Sequence, residues 1–509
     1  MTLPTRRALA ILAGFWATLL PLFAAWLWID QGIAPWDMSM HAGLVLRLHD
    51  GLAKGNLWRA YELSRFYPPL FHVLAVPASL VSTHPDAYSF GNWLVLLGLL
   101  WLTFLLGRRL AGDAAGLAAG LLVVGFPYVT WMGRMAMTDL TLAATVTFTL
   151  WLLVRPVDLA EPRQARLLGL SIALGLLAKW PYVLFTWAPL AQLLWRHWRA
   201  TGRDLRAPAF LRPLGRVLVW PLLLAGPWYV RSVPSLAGKA WWHLGAGVVA
   251  DEGDPPVLSI ASLAYYGQQL RADYLRAPLV LLLVAGAVAL LLAWTRRRRD
   301  ATTIAPARAW TPLLLGVAGG FACLLLIANK DPRYLLPFMP PLAVVCGAWL
   351  ALLRADRQRA AVAACGVLAW LLAADALFRL EPPDPTDWKL AEVARQIAPR
   401  LDGAPAPLRI LVVPNDEQMN FTSLDYALLR ATRAKTRVER SDRALDAAKL
   451  ATYDLAVVVV PPPDEAPYSQ GSRAAAELLL SRPDWVEEAR FARGDGREIL
   501  LLARRAPGA

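Results

Sequence analysis

The sequence predicts a polytopic α-helical membrane protein with about eleven transmembrane helices. They occupy residues 1–380, and a small soluble α/β domain follows over 381–509. Three observations carry this reading. The chain of 509 residues is 57% hydrophobic with a mean hydropathy of +0.41, more apolar surface than a soluble fold of that size can bury. Its Arg clusters fall in short loops between apolar runs, where they set topology. From Glu381 the composition changes to a proline-rich break followed by alternating helical and strand-like patterns. The +14 net charge therefore reflects loop topology and gives no reason to expect a nucleic-acid partner, while 23 Trp suit many anchors in the lipid interface. The three cysteines, Cys323, Cys346 and Cys365, all lie in apolar runs and form no metal-binding pattern.

The elements follow in order. Arg6 and Arg7 precede the apolar run Ala8–Ile29, which has no small-residue cleavage site and reads as an uncleaved first span. With those arginines inside, the stretch Trp28–Leu70 is outside; it is too polar for hydrocarbon but rich in Trp, Tyr and Leu. Tyr88–Leu106 spans inward to Arg108 and Arg109, so Pro69–Ser82 is an interfacial or re-entrant helix belonging to an outer loop over 30–87. The remaining spans are Ala114–Trp131, Thr141–Val154, Leu168–Ala178, Val183–Trp195, Val217–Tyr229, Pro278–Trp294, Pro312–Ala328, Leu335–Leu353 and Ala360–Phe378. A second outer loop, 231–276, carries Trp241, Trp242 and His243, the acidic pair Asp251 and Glu252, and Tyr265 and Tyr266. The Trp195–Arg216 stretch and the Arg296–Arg299 run are inside. With an odd number of spans the soluble domain is outside.

That domain begins with the linker Pro382, Pro383 and Pro385. Helical patterns at Trp388–Arg400, Gln418–Arg430 and Ser472–Ser481 alternate with strands at Leu408–Val413 and Leu455–Val460. Val486–Phe491 and Glu498–Leu502 flank Gly494, Asp495 and Gly496, a hairpin turn. It contains neither a phosphate-binding glycine loop nor a nucleophile elbow, and no catalytic role is expected of it.

Ionisable groups at the outer ends of the spans are the informative ones, because burial beside lipid is costly without pairing or function. Asp37 fits either a helix N-cap or a catalytic carboxylate. Asp139 fits an N-cap paired with Arg134, or a functional carboxylate; Lys179 fits a snorkelling anchor or a site cation. Lys330, Arg333 and Tyr334 are packed into five residues, more than an anchor requires. Two carboxylates and several cations at the outer ends of different helices suit a substrate with an anionic phosphate near the membrane face. The histidines His41, His49, His72 and His243 show no tight ligand spacing.

The order of motifs resembles the GT-C membrane glycosyltransferases, in particular bacterial aminoarabinose transferases and protein O-mannosyltransferases. The matching features are Asp37 after the first span, Pro68-Pro69-Leu70 closing the first outer loop, and Arg134 with Asp139 before the fourth span. Gly175 to Lys179, Pro227-Trp228-Tyr229 and Lys330 to Pro340 also match. Six weak motifs in the right order are fairly specific, and they cover Ala8 to Phe378. The resemblance implies a polyprenyl-phosphate sugar donor and inverting transfer to a lipid, glycan or protein acceptor. It places the transfer on the periplasmic side of a bacterial inner membrane. It makes Asp37 the catalytic base and gives Asp139 a part in shaping the site. Lys179, Arg333 and Tyr334, with Lys330, would hold the donor phosphate; Arg134, Tyr67, His41 and His243 complete the expected substrate-binding set.

Two departures matter. Met38 follows Asp37 where many relatives have Glu, and Phe66-Tyr67 precedes Pro-Pro where the aminoarabinose enzymes carry an acidic–basic pair. The second argues against lipid A modification and against carrying over a metal site, so no cofactor is expected; a divalent metal held between distant loops is the alternative. The competing readings are a transporter or flippase for a lipid-linked glycan, and a membrane scaffold whose soluble domain binds partners. No convincing internal repeat supports the transporter.

Overall fold

The structure, a computed structural model, describes residues 4–244, 253–295, 303–380, 382–402, 407–414, 419–433, 437–440, 445–462 and 471–505, with the side chains of 239–244, 402 and 440 outside the description. Asp251, Glu252 and the Arg296–Arg299 run lie outside the described residues.

Helix α1 (Thr5–Ile29) is the first apolar run, continuous through Pro21. Helix α2 (Trp36–Ala53) follows it in the expected outer loop, and buries Met38, His41, Ala42, Val45, Leu46 and Leu48 while leaving Lys54 beyond its end exposed. The expected interfacial segment is a short helix, Leu70–Ala75, continued by a 3₁₀ turn at Val76–Leu80. Helix Ser89–Ala111 is packed closely on Asp113–Leu122, and glycine permits the approach. A Cβ at Gly116 would come 2.5 Å from the Arg108 nitrogen, and one at Gly107 would come 2.9 Å from Gly116 Cα.

Pro127 then breaks the third span. Residues Asp113–Gly125 and Pro127–Gly133 meet at 69°. The chain turns back through a buried loop of Met135, Ala136 and Met137, whose carbonyls no helix satisfies. The buried Asn92 amide bonds the carbonyls of Met135 (2.6 Å) and Met137 (2.8 Å), and Ser89 bonds that of Arg134. This loop sets Arg134 at the end of the helix Pro127–Gly133 and Asp139 at the start of the next, Asp139–Leu153.

Among the described residues seven helices are long and apolar enough to cross a membrane, or eight with the broken pair counted as one, fewer than the eleven expected. Each expected span is helical. The difference arises because Asp139–Leu153 and Pro162–Ala178 are short, while Tyr182–Ala200 ends in Arg196, His197 and Arg199.

The C-terminal domain is a five-stranded sheet in the order β2-β1-β3-β5-β4. Strands β1 (Arg409–Val413) and β3 (Leu455–Val460) are parallel neighbours at its centre. β5 (Glu498–Arg504) runs antiparallel to β3 and forms a hairpin with β4 (Trp485–Ala492) across Gly496, which takes φ +84°. The edge strand β2 (Arg437–Arg440) was not expected, since four residues of sequence Arg-Val-Glu-Arg carry no alternating apolar signal; charge protects such an edge.

This domain is seated on the segment between the first two long apolar helices. Tyr426 and Leu429 of its helix Phe421–Thr432 join the apolar cluster of the membrane region. The Tyr426 hydroxyl donates to the Thr83 carbonyl at 2.6 Å, and Arg47 of α2 pairs with Asp425 at 3.0 Å. The proline linker is tied back to the end of α1: the Asp384 amide donates to Asp30 (2.8 Å) and the Gln31 amide to the Asp384 carbonyl (2.6 Å).

Candidate functional site

Asp37 sits in the first turn of α2, which starts after Pro35. Its carboxylate makes no cap hydrogen bond to its own helix. One oxygen accepts instead from Arg333 Nη1 at 3.0 Å, 296 residues away in sequence. The other accepts a long bond, 3.4 Å, from the Tyr67 hydroxyl. The Arg333 fork also reaches Asp331, through Nε at 2.6 Å and through Nη2, and the Asp331 carboxylate accepts from the Arg333 amide. One guanidinium therefore bridges two carboxylates, a geometry that suits its planar array of donors. Asp37 and Arg333 remain about a quarter to a third exposed, so a ligand can reach both.

Trp36, immediately before Asp37, has φ +33°, a conformation that costs a bulky residue about 1–3 kcal/mol. The hydroxyl of Thr422, from the C-terminal domain, lies 2.8 Å from the Trp36 carbonyl oxygen. The soluble domain thus touches the backbone that aims Asp37.

A second pair lies deeper. Lys179 Nζ donates to Asp139 Oδ1 at 2.8 Å, with both groups buried. Asp139 begins its helix without capping it, and its Oδ2 is buried with no hydrogen-bond partner among the described residues. A buried carboxylate oxygen without a donor is costly and suits a ligand-facing position. Gly175 explains how Lys179 is held: a Cβ there would meet the Tyr182 ring at 2.2 Å. The ring instead lies against the helix with its hydroxyl 2.7 Å from Thr149 Oγ1. The Pro227-Trp228-Tyr229 motif braces the same region, because Trp228 Nε1 donates to the Ser64 carbonyl at 2.9 Å and Tyr229 OH to the Leu176 carbonyl at 3.2 Å.

His41 is also near Asp37, with its ring 4.5 Å from that of Tyr67. Its Nδ1 lies 3.0 Å from Nε2 of the buried His72. Burial first, then the neighbouring imidazole, pushes His41 well below the usual histidine range; burial takes His72 down to about 4. Burial first, then the Asp37 charge, raises Tyr67, which stays a protonated donor.

The other expected residues fall elsewhere. Lys330 is spent on the end of the helix Ala307–Leu326: its ammonium donates to the carbonyls of Leu324 (3.0 Å) and Ile327, while its amide bonds Asp254 at 2.8 Å. Tyr334 donates to Asn329 Oδ1 at 2.7 Å, beside the Arg333 group. Arg134 does not join Asp37. Its guanidinium stacks 3.7 Å from the Trp26 ring centroid and faces a cleft of about 260 Å³ with Asp30, Asp86 and Asp384. Burial chiefly lifts Asp30 there to about 6, with Asp86 adding and Arg134 opposing. The helix Gly226–Leu244 contains His243, whose side chain lies outside the described residues. Sequence reasoning gave no role to Asp331 or His72 and left out Thr422. Asp331 alone had a local signal, a carboxylate two residues before Arg333 in an Asx turn. Among the described residues no three His, Cys, Asp or Glu side chains gather as a metal site.

Comparison with known proteins gives this geometry a frame. Residues 68–220 match the model of the dolichyl-phosphate-mannose-protein mannosyltransferase family. ArnT from Cupriavidus metallidurans in its apo state superposes with a TM-score of 0.61 at 14% identity, covering 97% of this chain and 98% of that one. The fold is that of the GT-C glycosyltransferases. The same ArnT bound to undecaprenyl phosphate gives 0.59 at 14% identity and the same coverage. The mycobacterial arabinofuranosyltransferase AftD gives 0.55 at 15% identity; this chain is covered to 99% but spans 40% of AftD. No match is found among the curated proteins. On this GT-C fold the Asp37–Arg333–Asp331 group joins the start of α2, after the first apolar helix, to the 3₁₀ turn Pro332–Phe338 and the residue before it. It is assembled from the two ends of the membrane region.

The histidine pair sets a pH dependence. A buried imidazole with a lowered pKa binds fewer protons folded than unfolded, so stability rises with pH. The contribution of His72 is complete above about 6.5, its unfolded value, and is lost as pH falls towards its folded value of about 4. His72→Asn is expected to flatten the fall in Tm between pH 7 and pH 4; an unchanged profile would show that the pair is not buried neutral.

Proposed function

We propose that this protein is a multi-pass bacterial inner-membrane glycosyltransferase that moves a sugar from a polyprenyl-phosphate donor to a lipid, glycan or protein acceptor on the periplasmic side. On this reading all eleven helical spans cross the bilayer and the C-terminal domain is outside. The observation that carries the proposal is the bridge from Arg333 to Asp37 and Asp331 at the outer helix ends. The fold shared with ArnT supports the lipid-linked donor, since that relative is described bound to undecaprenyl phosphate.

The chemistry follows from the charges. The donor phosphate competes with Asp37 for Arg333 and releases the carboxylate. Asp37 then takes the proton of the acceptor hydroxyl as its oxygen attacks the anomeric carbon. The bond from that carbon to the phosphate oxygen breaks on the opposite face, with inversion, and its electron pair leaves with the polyprenyl phosphate. Arg333 holds the growing negative charge, so no proton donor to the leaving group is needed. Lys179 and Tyr334 extend the cationic and hydrogen-bonding wall, and Asp139 orients Lys179. Tyr67 and His41 line the Asp37 side. These side chains supply the counter-charge, and the proposal includes no metal or other cofactor.

The test is incubation of the purified protein in nanodiscs with a panel of polyprenyl-phosphate sugars and an envelope extract as acceptor source. Donor-dependent release of polyprenyl phosphate supports the transferase. No release from any donor, with movement of intact lipid-linked glycan across sealed proteoliposomes, would instead establish the flippase. The contact from the C-terminal domain adds a prediction. Thr422→Val is expected to lower kcat several-fold with donor KM unchanged, and Thr422→Ser to restore it. Equal kcat in all three would detach the soluble domain from catalysis.

A further inference from the structure

A cleft of about 740 Å³ lies between the C-terminal half of α2 and the soluble domain. Arg47, Lys54 and Arg59 line it from the outer loop, Arg433 and Arg437 from the domain, and Asp50 is the one carboxylate among the lining residues. Four of the cations have partners. Arg47 bonds Asp425 at 3.0 Å, and Arg437 bonds Glu439 at 2.6 Å. The Arg433–Asp50 and Arg59–Glu62 pairs are loose, at 3.9 and 3.6 Å. Lys54 is exposed and pairs with nothing among the described residues.

Two features go beyond a solvated charged surface. Arg433 closes its helix in the left-handed conformation, φ +59°, where glycine or asparagine is the low-cost residue. A cation is kept there against backbone preference. Gly51 is the converse case: a Cβ would come 2.3 Å from Arg59 Cγ, so glycine lets the Arg59 stem lie across α2 and hold its head at the cleft. Topology does not explain the cluster either. In the orientation proposed above these cations are on the outer face, where the positive-inside rule retains none.

We propose that this cleft binds an anionic saccharide, a phosphate- or carboxylate-bearing part of the acceptor, and rests it along α2. The inference extends the transferase reading. Arg47 and Lys54 stand about 15 and 25 Å from Asp37 along the helix, at 1.5 Å per residue. An acceptor reaching from the cleft to Asp37 is a few sugar units long, with its anionic groups distal to the reacting hydroxyl.

The test uses the full chain in phosphatidylcholine nanodiscs with fluorescent tetragalacturonate as probe, inorganic triphosphate as competitor and maltotetraose as neutral control. Tetragalacturonate is expected to bind, to be displaced by triphosphate but not by maltotetraose, and to weaken as salt rises. Lys54→Ala combined with Arg433→Gly is expected to weaken it at least about ten-fold. Arg433→Gly relieves the left-handed residue, so its Tm is expected to hold or rise while binding falls, which separates the site from the fold. Competition by phosphatidylglycerol in the nanodisc would identify a membrane headgroup as the source of the anion; its absence would identify a free or glycan-borne anion. Equal binding by wild type and the double variant, or no binding of either anionic probe, would overturn the proposal. The assay needs neither donor nor turnover, so its failure and that of the transferase reading are told apart.

Discussion

Arg333→Met is expected to lower kcat/KM for the polyprenyl-phosphate donor by about 100- to 1000-fold, the scale seen when one preorganised charge donor is removed from a transition state. The argument is geometric. Among the described residues Arg333 is the one side chain bonded to both Asp37 and Asp331, so on the proposed reading its loss removes the phosphate contact and the partner that orients the base. Arg333→Lys keeps the charge but not the fork, and an ammonium cannot reproduce two in-plane bonds to separate carboxylates. It is expected to recover only part of the loss, and mainly in donor binding. Steady-state kinetics with a direct donor-binding measurement reads both quantities. Donor affinity in Arg333→Met equal to wild type would remove the phosphate role.

The largest stability effect belongs to the deeper pair. Asp139 and Lys179 are both buried and 2.8 Å apart. Deleting one partner leaves the other charge without compensation, at about 3–5 kcal/mol. Lys179→Met and Asp139→Leu are each expected to show a marked fall in Tm in nanodiscs. The double variant is expected to regain most of it, because two apolar residues in that volume need no pairing. Turnover should not return with stability, since Lys179 also faces the donor site on this account. A double variant that is stable and fully active would leave the pair as architecture alone.

The long apolar helices were legible in the sequence. The expected runs Ala8–Ile29 and Tyr88–Leu106 are the helices Thr5–Ile29 and Ser89–Ala111, which take in the arginines expected to flank them. The soluble domain was readable because β1 and β3 are unbroken apolar runs buried on both faces. The charged edge strand β2 was not, for an edge needs no such pattern. The candidate site was readable as a set of residues and not as an arrangement. Whether Asp37 was a cap or a site carboxylate depended on where Arg333 would be, and no local pattern ties residues 296 positions apart. Lys330 and Arg333 look equivalent in the same short motif, yet the backbone directs one ammonium onto the carbonyls of Leu324 and Ile327 and the other head onto Asp37. Arg134 and Asp139 stand close in sequence, but the turn after Pro127 sends them into different groups. His72 was seen but given no role, and Thr422 escaped notice, because each acts through a neighbour, His41 or the Trp36 carbonyl.

The most direct measurement compares wild type with Asp37→Asn, following both donor binding and release of polyprenyl phosphate. Asparagine keeps the shape and can still accept from Arg333, but it cannot take a proton at neutral pH. Asp37 as base predicts donor affinity within a few-fold of wild type and turnover lower by about 100- to 10,000-fold. Equal turnover by the two proteins would contradict the account and move the base to Asp139.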